Sequence, residues 1–214
     1  MNDSASLPGI KAVLFDLGGV LAELRGEAHL LPLIGDRLTR EEVWAMWSAS
    51  PAVRAHETGK VSAEQFCEAI VEEFALDVGP EDFLAGFRDW IVGPFAETHD
   101  LIRDVASRHT TALLTNVSAL HWPVVESLGV LPHMHHVFAS YQIGRIKPDR
   151  VYFEFVLEQM DIAPREAVFF DDSPLNVASA RELGLHAFRV ESAAQVRRQL
   201  ARLGLLTDQR ERNV

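Results

Sequence analysis

The chain has 214 residues, of which 48% are apolar and 24% charged, and its formal net charge is −11. This is the profile of a soluble globular protein with room for one sizeable α/β core and a small inserted unit. The acidic balance argues against nucleic acid or an anionic membrane surface as a general partner, although a local cation can still make a site for anions.

Met1 to Gly9 is polar, ends Leu-Pro-Gly and reads as a loose leader. Lys11 to Phe15 (KAVLF) is a short apolar run, as expected of a buried parallel strand. It ends in Asp16, with Gly18 and Gly19 just beyond. From Ala22 to about Phe95 the pattern has helical period, with no strand signal. Thr39–Glu42 and Ser62–Gln65 are capping boxes, and Pro80 suits the first turn of a further helix. Trp44, Trp47, Phe87 and Trp90 on these helices read as packing residues. Gly93-Pro94 marks the return to the main unit.

After Glu97 helices and strands alternate. Helices are expected near 98–108, 120–128, 149–160, 175–183 and 193–203, and strands near 111–115, 136–139, 167–170 and 186–190. This alternation predicts a doubly wound, Rossmann-like parallel sheet with helices on both faces. The division expected is an α/β core of 1–21 and 96–214 with a helical insertion at 22–95. Thr207 to Val214 reads as a frayed tail. The single cysteine, Cys67, allows no disulfide within the chain and reads as a small core residue. No charged leader followed by an apolar segment and no membrane-length apolar run is visible, so a cytoplasmic protein is expected.

Three acids carry the chemistry. Asp16 ends the first strand, and Asp171 and Asp172 end the strand VFF at 168–170. If those strands are neighbours, the acids converge, and converging carboxylates need a cation or a shared proton. All-oxygen ligands suit Mg²⁺, which keeps waters and takes phosphate oxygens. Asp16 can then attack phosphorus. Thr115, through its hydroxyl, and Asn116, through its backbone N–H, would hold phosphoryl oxygens, and Lys147 before Pro148 supplies a fixed positive charge.

In order, FDLGGV from Phe15, LLTNVS from Leu113, IKPD from Ile146 and VFFDDS from Val168 resemble the four signature motifs of the haloacid dehalogenase-like (HAD) hydrolase superfamily. The resemblance implies that Asp16 is nucleophile and metal ligand, and that Gly18 lends its backbone carbonyl to the metal. It implies that Asp172 binds the metal directly and that Asp171 acts through water or on Lys147. Asn176 resembles the polar residue that orients this last loop, or is a surface helix residue. The helical insertion resembles the C1-type cap of HAD enzymes.

Position 18 departs from the pattern. Most HAD phosphatases carry there an acid that protonates the leaving group. FDLGGV is similar to a bacterial subgroup associated with hexose phosphates, especially glucose 1-phosphate, whose leaving group needs little protonation. The expected protein is therefore a Mg²⁺-dependent phosphatase of small phosphorylated metabolites, monomeric or homodimeric. Two alternatives stand: a 2-haloacid dehalogenase using the same nucleophile, or a non-catalytic binding protein. His29 and His56 are candidates to stand in for the missing acid, but both read more readily as exposed helix residues. Arg54, His56 and Glu57 lie before Gly59 with no sign of where they point. Arg145 is either a substrate contact or a solvated loop residue, and His133, His135 and His136 read as a polar loop before a strand.

Overall fold

The structure is a computed structural model and describes residues 7–206. The expected tail and the first six residues of the expected leader lie outside that range. In chain order the elements are β1 (Ala12–Phe15), β2 (Ala22–Leu24), α1 (Gly26–Ile34), α2 (Arg40–Ala49), α3 (Pro51–Glu57), α4 (Ala63–Glu73), α5 (Pro80–Phe87) and β3 (Ile91–Pro94). There follow α6 (Thr98–Ala106), β4 (Thr110–Thr115), α7 (Trp122–Ser127), β5 (His136–Ala139), α8 (Ser140–Ile143), α9 (Arg150–Met160), β6 (Ala167–Asp171), α10 (Pro174–Leu183), β7 (His186–Arg189) and α11 (Ala193–Arg202).

All four residues of β1 are buried, so the strand must be covered on both faces and flanked on both edges. It is the middle strand of a five-stranded sheet ordered β5-β4-β1-β6-β7, and every pairing is parallel. Alternate side chains go to opposite faces. Val13, Phe15, Leu113 and Phe170 pack with Leu101, Val105, Val196 and Leu200 from α6 and α11. Leu14, Leu114 and Phe169 pack with Tyr152, Phe153, Val177 and Ala180 from α9 and α10. The chain winds from β1 toward β5 and later resumes on the other side with β6 and β7. The carboxyl end of β1 is therefore the switch point, where open α/β sheets bind ligands.

The stretch 22–95 is not wholly helical, which corrects the sequence reading. β2 and β3 pair antiparallel, Ala22 opposite Pro94, with an irregularity at Glu23 and Leu24. These strands have three and four residues, and their partners lie some seventy residues apart. No local periodicity can announce such a pair. The helices between them follow the predicted signals. Thr39 with Glu42 and Ser62 with Gln65 form capping boxes, and Pro80 opens α5. These helices close a hydrophobic cluster of their own. Trp47 is its hub, its ring set against those of Trp44, Phe66, Phe74, Phe87 and Trp90. Cys67 is buried beside them, and burial pushes its thiol up to about 11.

His29 and His56 are not exposed helix residues, a second correction. His29 is half-buried, and its Nδ1 accepts from Trp90 Nε1 at 2.9 Å. His56 is 4% exposed and stacks on Phe66 with ring centroids 4.5 Å apart. Neither ring nitrogen of His56 has a hydrogen-bond partner among the described residues; the Val61 backbone comes near without reaching bonding geometry. Burial pushes the imidazole down to about 4 from an ordinary 6.5. Below pH 6.5 the unfolded chain takes up a proton that the folded chain refuses. The contribution of His56 is thus intact at neutral pH and is lost as pH falls toward 4, by at most about 3 kcal/mol. His56→Leu is expected to flatten the fall in melting temperature between pH 7 and pH 4.5; a wild-type slope in the variant would contradict this account.

Candidate active site

The site begins with strand pairing. Asp16 N–H donates to the Phe170 carbonyl at 2.8 Å, so Asp16 and Asp171 leave adjacent strand ends side by side. Asp172 follows on the same loop. One carboxylate oxygen from each of Asp16, Asp171 and Asp172 lies within 4.8 Å of the other two. Gly19 makes room for the third acid. Its φ is +68°, and a Cβ there would stand 2.6 Å from Asp172 Oδ2. Only glycine meets both demands.

Lys147 ties two of the acids together. Its ammonium donates to Asp16 Oδ1 at 2.7 Å, to Asp171 Oδ2 at 2.7 Å and to the Leu114 carbonyl at 2.8 Å. An ammonium has three protons, and here all three are used. Lys147 is 3% exposed. Burial alone would push it down, but the charges of Asp16 and Asp171 outweigh that and hold it protonated well above its ordinary range.

Asn116 fixes the backbone of Lys147 from both sides. Its Nδ2 donates to the Lys147 carbonyl at 2.9 Å, and its Oδ1 accepts from the Lys147 N–H at 3.0 Å. This side-chain clamp is a role the sequence reading missed, having drawn only on the Asn116 backbone. Thr115 ends β4, buried, and its hydroxyl makes no hydrogen bond within the protein among the described residues. Asn176 is buried rather than a surface residue. Its Nδ2 donates to both oxygens of Asp171, at 3.0 and 3.1 Å, while the Ser173 N–H donates to Asp171 Oδ1 at 2.8 Å. Asp171 is fully enclosed by donors. Asp172 is partly exposed and makes no side-chain ion pair or hydrogen bond among the described residues.

Three acids therefore face one lysine. Burial, with the charges of Asp171 and Asp172, holds the Asp16 carboxyl above the usual range despite Lys147. Asp172 is raised as well, by burial first and then by Asp171. This excess of buried negative charge, with an all-oxygen donor set, fits a small hard cation. Among the described residues, Asp16, Asp171 and Asp172 make the one cluster suited to a metal ion.

The model of haloacid dehalogenase-like hydrolases matches residues 10–184. The chain belongs to the haloacid dehalogenase-like hydrolase family. Relatives of this HAD-like hydrolase include a D-ribitol-5-phosphate phosphatase of Bacteroides thetaiotaomicron, 24% identical over 202 residues that cover 89% of this chain and 97% of the relative. A sesquiterpene phosphatase of Aspergillus oryzae is 25% identical, covering 82% and 87%. Among solved structures, a HAD-family enzyme of B. thetaiotaomicron in complex with magnesium and inorganic phosphate superposes with a TM-score of 0.65, at 25% identity, over 85% of this chain and 94% of that one. The L-2-haloacid dehalogenase of Xanthobacter autotrophicus shares the fold, with a TM-score of 0.60 and 19% identity over 85% and 77%.

Other residues singled out in this HAD-like hydrolase stay apart from the acids. The Arg145 guanidinium lies 4.5 Å from the centre of the Phe155 ring. His135 Nδ1 is engaged by the Thr111 N–H at 3.1 Å, and with His133 it lines a shallow cavity of about 140 Å³ beside Ala106 and Pro132. At Gly18, a Cβ would lie 2.5 Å from Leu24 Cδ1, so the space beside the glycine is filled from β2. Among the described residues, no helix is long and apolar enough to cross a membrane.

Proposed function

We propose that this HAD-like hydrolase is a Mg²⁺-dependent phosphatase of small phosphorylated metabolites, hexose phosphates such as glucose 1-phosphate first, working through an aspartyl-phosphate. The observation that carries the reading is the three-acid cluster, in which Lys147 engages Oδ1 of Asp16 and leaves its second oxygen without a protein partner among the described residues. The phosphatase relatives and the magnesium–phosphate complex support it.

Asp16, Asp172 and the Gly18 carbonyl would hold the ion, with Asp171 acting through water and on Lys147. When bound, Mg²⁺ supplies charge that keeps the acids ionised and offsets their repulsion of a phosphoryl group. The free oxygen of Asp16 attacks phosphorus, and the leaving oxygen departs with the electron pair of its bond. The Thr115 hydroxyl and the Asn116 N–H hold phosphoryl oxygens, while Lys147 fixes the attacking carboxylate. Residues 22–95 form a C1-type cap over the core of 1–21 and 96–214. A cytoplasmic protein, monomeric or homodimeric, is part of the same reading.

The fold likeness to a dehalogenase keeps a second reading in view, and the paired acids on β6 argue for metal and phosphate instead. Mg²⁺-dependent release of p-nitrophenol from p-nitrophenyl phosphate, then a panel of sugar and polyol phosphates, tests the proposal. Metal-independent chloride release from 2-chloropropionate would replace it with the dehalogenase. Tight ligand binding with neither turnover would leave a binding protein.

A further inference from the structure

Position 18 offers no proton, yet phosphate esters of ordinary alcohols need one at the leaving oxygen. A glycine occupies the place, and Leu24 fills the space beside it. The proton must then come from another element. Within the insertion, α3 and the turn after it are pinned against the core at two points. Arg54 donates to both oxygens of Asp149 at 2.7 Å, two residues from Lys147. Beyond the helix, Gly59 has a φ of +73°, and a Cβ there would stand 2.8 Å from the Tyr141 carbonyl of α8, so the backbones nearly touch. Glu57 lies between these anchors. It is three residues after Arg54, hence on the same helix face, the face turned to the Lys147–Asp149 segment.

We infer that Glu57 of α3 is the proton donor and acceptor that takes the place of the acid missing at Gly18; the inference rests on the phosphatase reading above. Glu57 is half-buried, and it lies near enough to Lys147 to feel its charge. Its carboxyl makes no hydrogen bond or ion pair among the described residues. Burial pushes it up to about 7, against the pull of Lys147, so both protonation states are populated near neutrality. Of the charged groups on the packed elements, Lys147 alone acts on it: Arg54 is held by Asp149, and His56 is turned into the aromatic cluster. A general acid–base is most effective with its pKa near the working pH.

The steps balance. As the Asp16–phosphorus bond forms, the leaving oxygen takes the electrons of its bond to phosphorus and the proton of Glu57. Glu57, now a carboxylate, then takes a proton from water as the water oxygen bonds phosphorus. The Asp16 oxygen recovers its electron pair, and Glu57 ends protonated. The sum is one ester and one water consumed, one alcohol and one phosphate released.

The test compares wild type with Glu57→Gln, both loaded with Mg²⁺. Ribitol 5-phosphate serves as an alkyl ester and p-nitrophenyl phosphate as an ester whose leaving group needs no proton. Glu57→Gln is expected to lower kcat on the alkyl ester by about 10²-fold or more. On p-nitrophenyl phosphate it should give a rapid burst of one p-nitrophenol per enzyme followed by slow turnover, because the acyl phosphate forms but its hydrolysis lacks a base. The pH–rate limb near neutrality should vanish. If Glu57→Gln does not fold, Glu57→Ala with added formate reads the same point through rescue of alkyl-ester turnover. Equal losses on both esters without a burst, an unchanged pH profile, or no rescue would overturn the inference while leaving the phosphatase reading intact. A wild type that releases no phosphate from either ester would overturn both.

Discussion

Asp16→Asn is expected to abolish phosphate release, by at least about four orders of magnitude, while raising the melting temperature of the metal-free protein by a few degrees. The loss follows from chemistry, since an amide is too weak a nucleophile to attack phosphorus. The gain follows from electrostatics. The folded Asp16 carboxyl sits above its ordinary 3.8 because burial and two neighbouring acids disfavour its charge. As pH rises past 3.8 the unfolded chain gives up this proton and the folded chain retains it, so Asp16 lowers stability with rising pH. Asparagine removes that penalty and still accepts from Lys147. Turnover assays beside thermal melts in chelator check both halves. A variant that loses activity and melts lower than wild type would show that the acid cluster is not strained as described.

Lys147→Met is expected to cost the fold about 3–5 kcal/mol, a fall in melting temperature on the order of 10 °C, together with its turnover. Lys147 is the one cation bonded to Asp16 and Asp171 among the described residues, and its removal leaves the enclosed acid cluster with no bonded cation. Unpairing a buried charge costs more than the pair itself contributes. The double variant Lys147→Met/Asp171→Asn should therefore recover part of the stability, a non-additivity that urea titration of all three variants would read. Additive losses would place the role of Lys147 elsewhere.

Much of this was legible in the sequence because the core strands are runs of buried apolar residues. The runs at 11–15, 111–115 and 167–170 matched their strands to within a residue, and the expected meeting of Asp16 and Asp171 required only that β1 and β6 be neighbours, which they are. Asn116 and Asn176 lay in legible motifs, but their side chains work across distances no spacing encodes: Asn116 grips residue 147, and Asn176 reaches back to Asp171. β2 and β3 were illegible because each is stabilised by a segment at the far end of the insertion. Glu57 gives no sign in the sequence of where it points until α3 is set against α8. His56 looked like a surface residue for the same reason, its burial depending on Phe66, ten residues further on.

The insertion leaves and re-enters the core through one narrow gate. β2 and β3 run side by side, the Phe95 N–H donates to the Leu21 carbonyl at 3.1 Å, and the Thr98 hydroxyl donates to the same carbonyl at 2.6 Å. Residues 21 and 95 are thus stitched together whatever lies between them. The intervening helices hang from this stitch and close a cluster of their own, so a change in their length or packing need not disturb sheet order or the carboxylates. On the proposed reading, substrate preference can then diverge in these helices, while Asp16, Lys147 and Asp171 stay fixed in the frame beneath and only Glu57 on α3 must be kept.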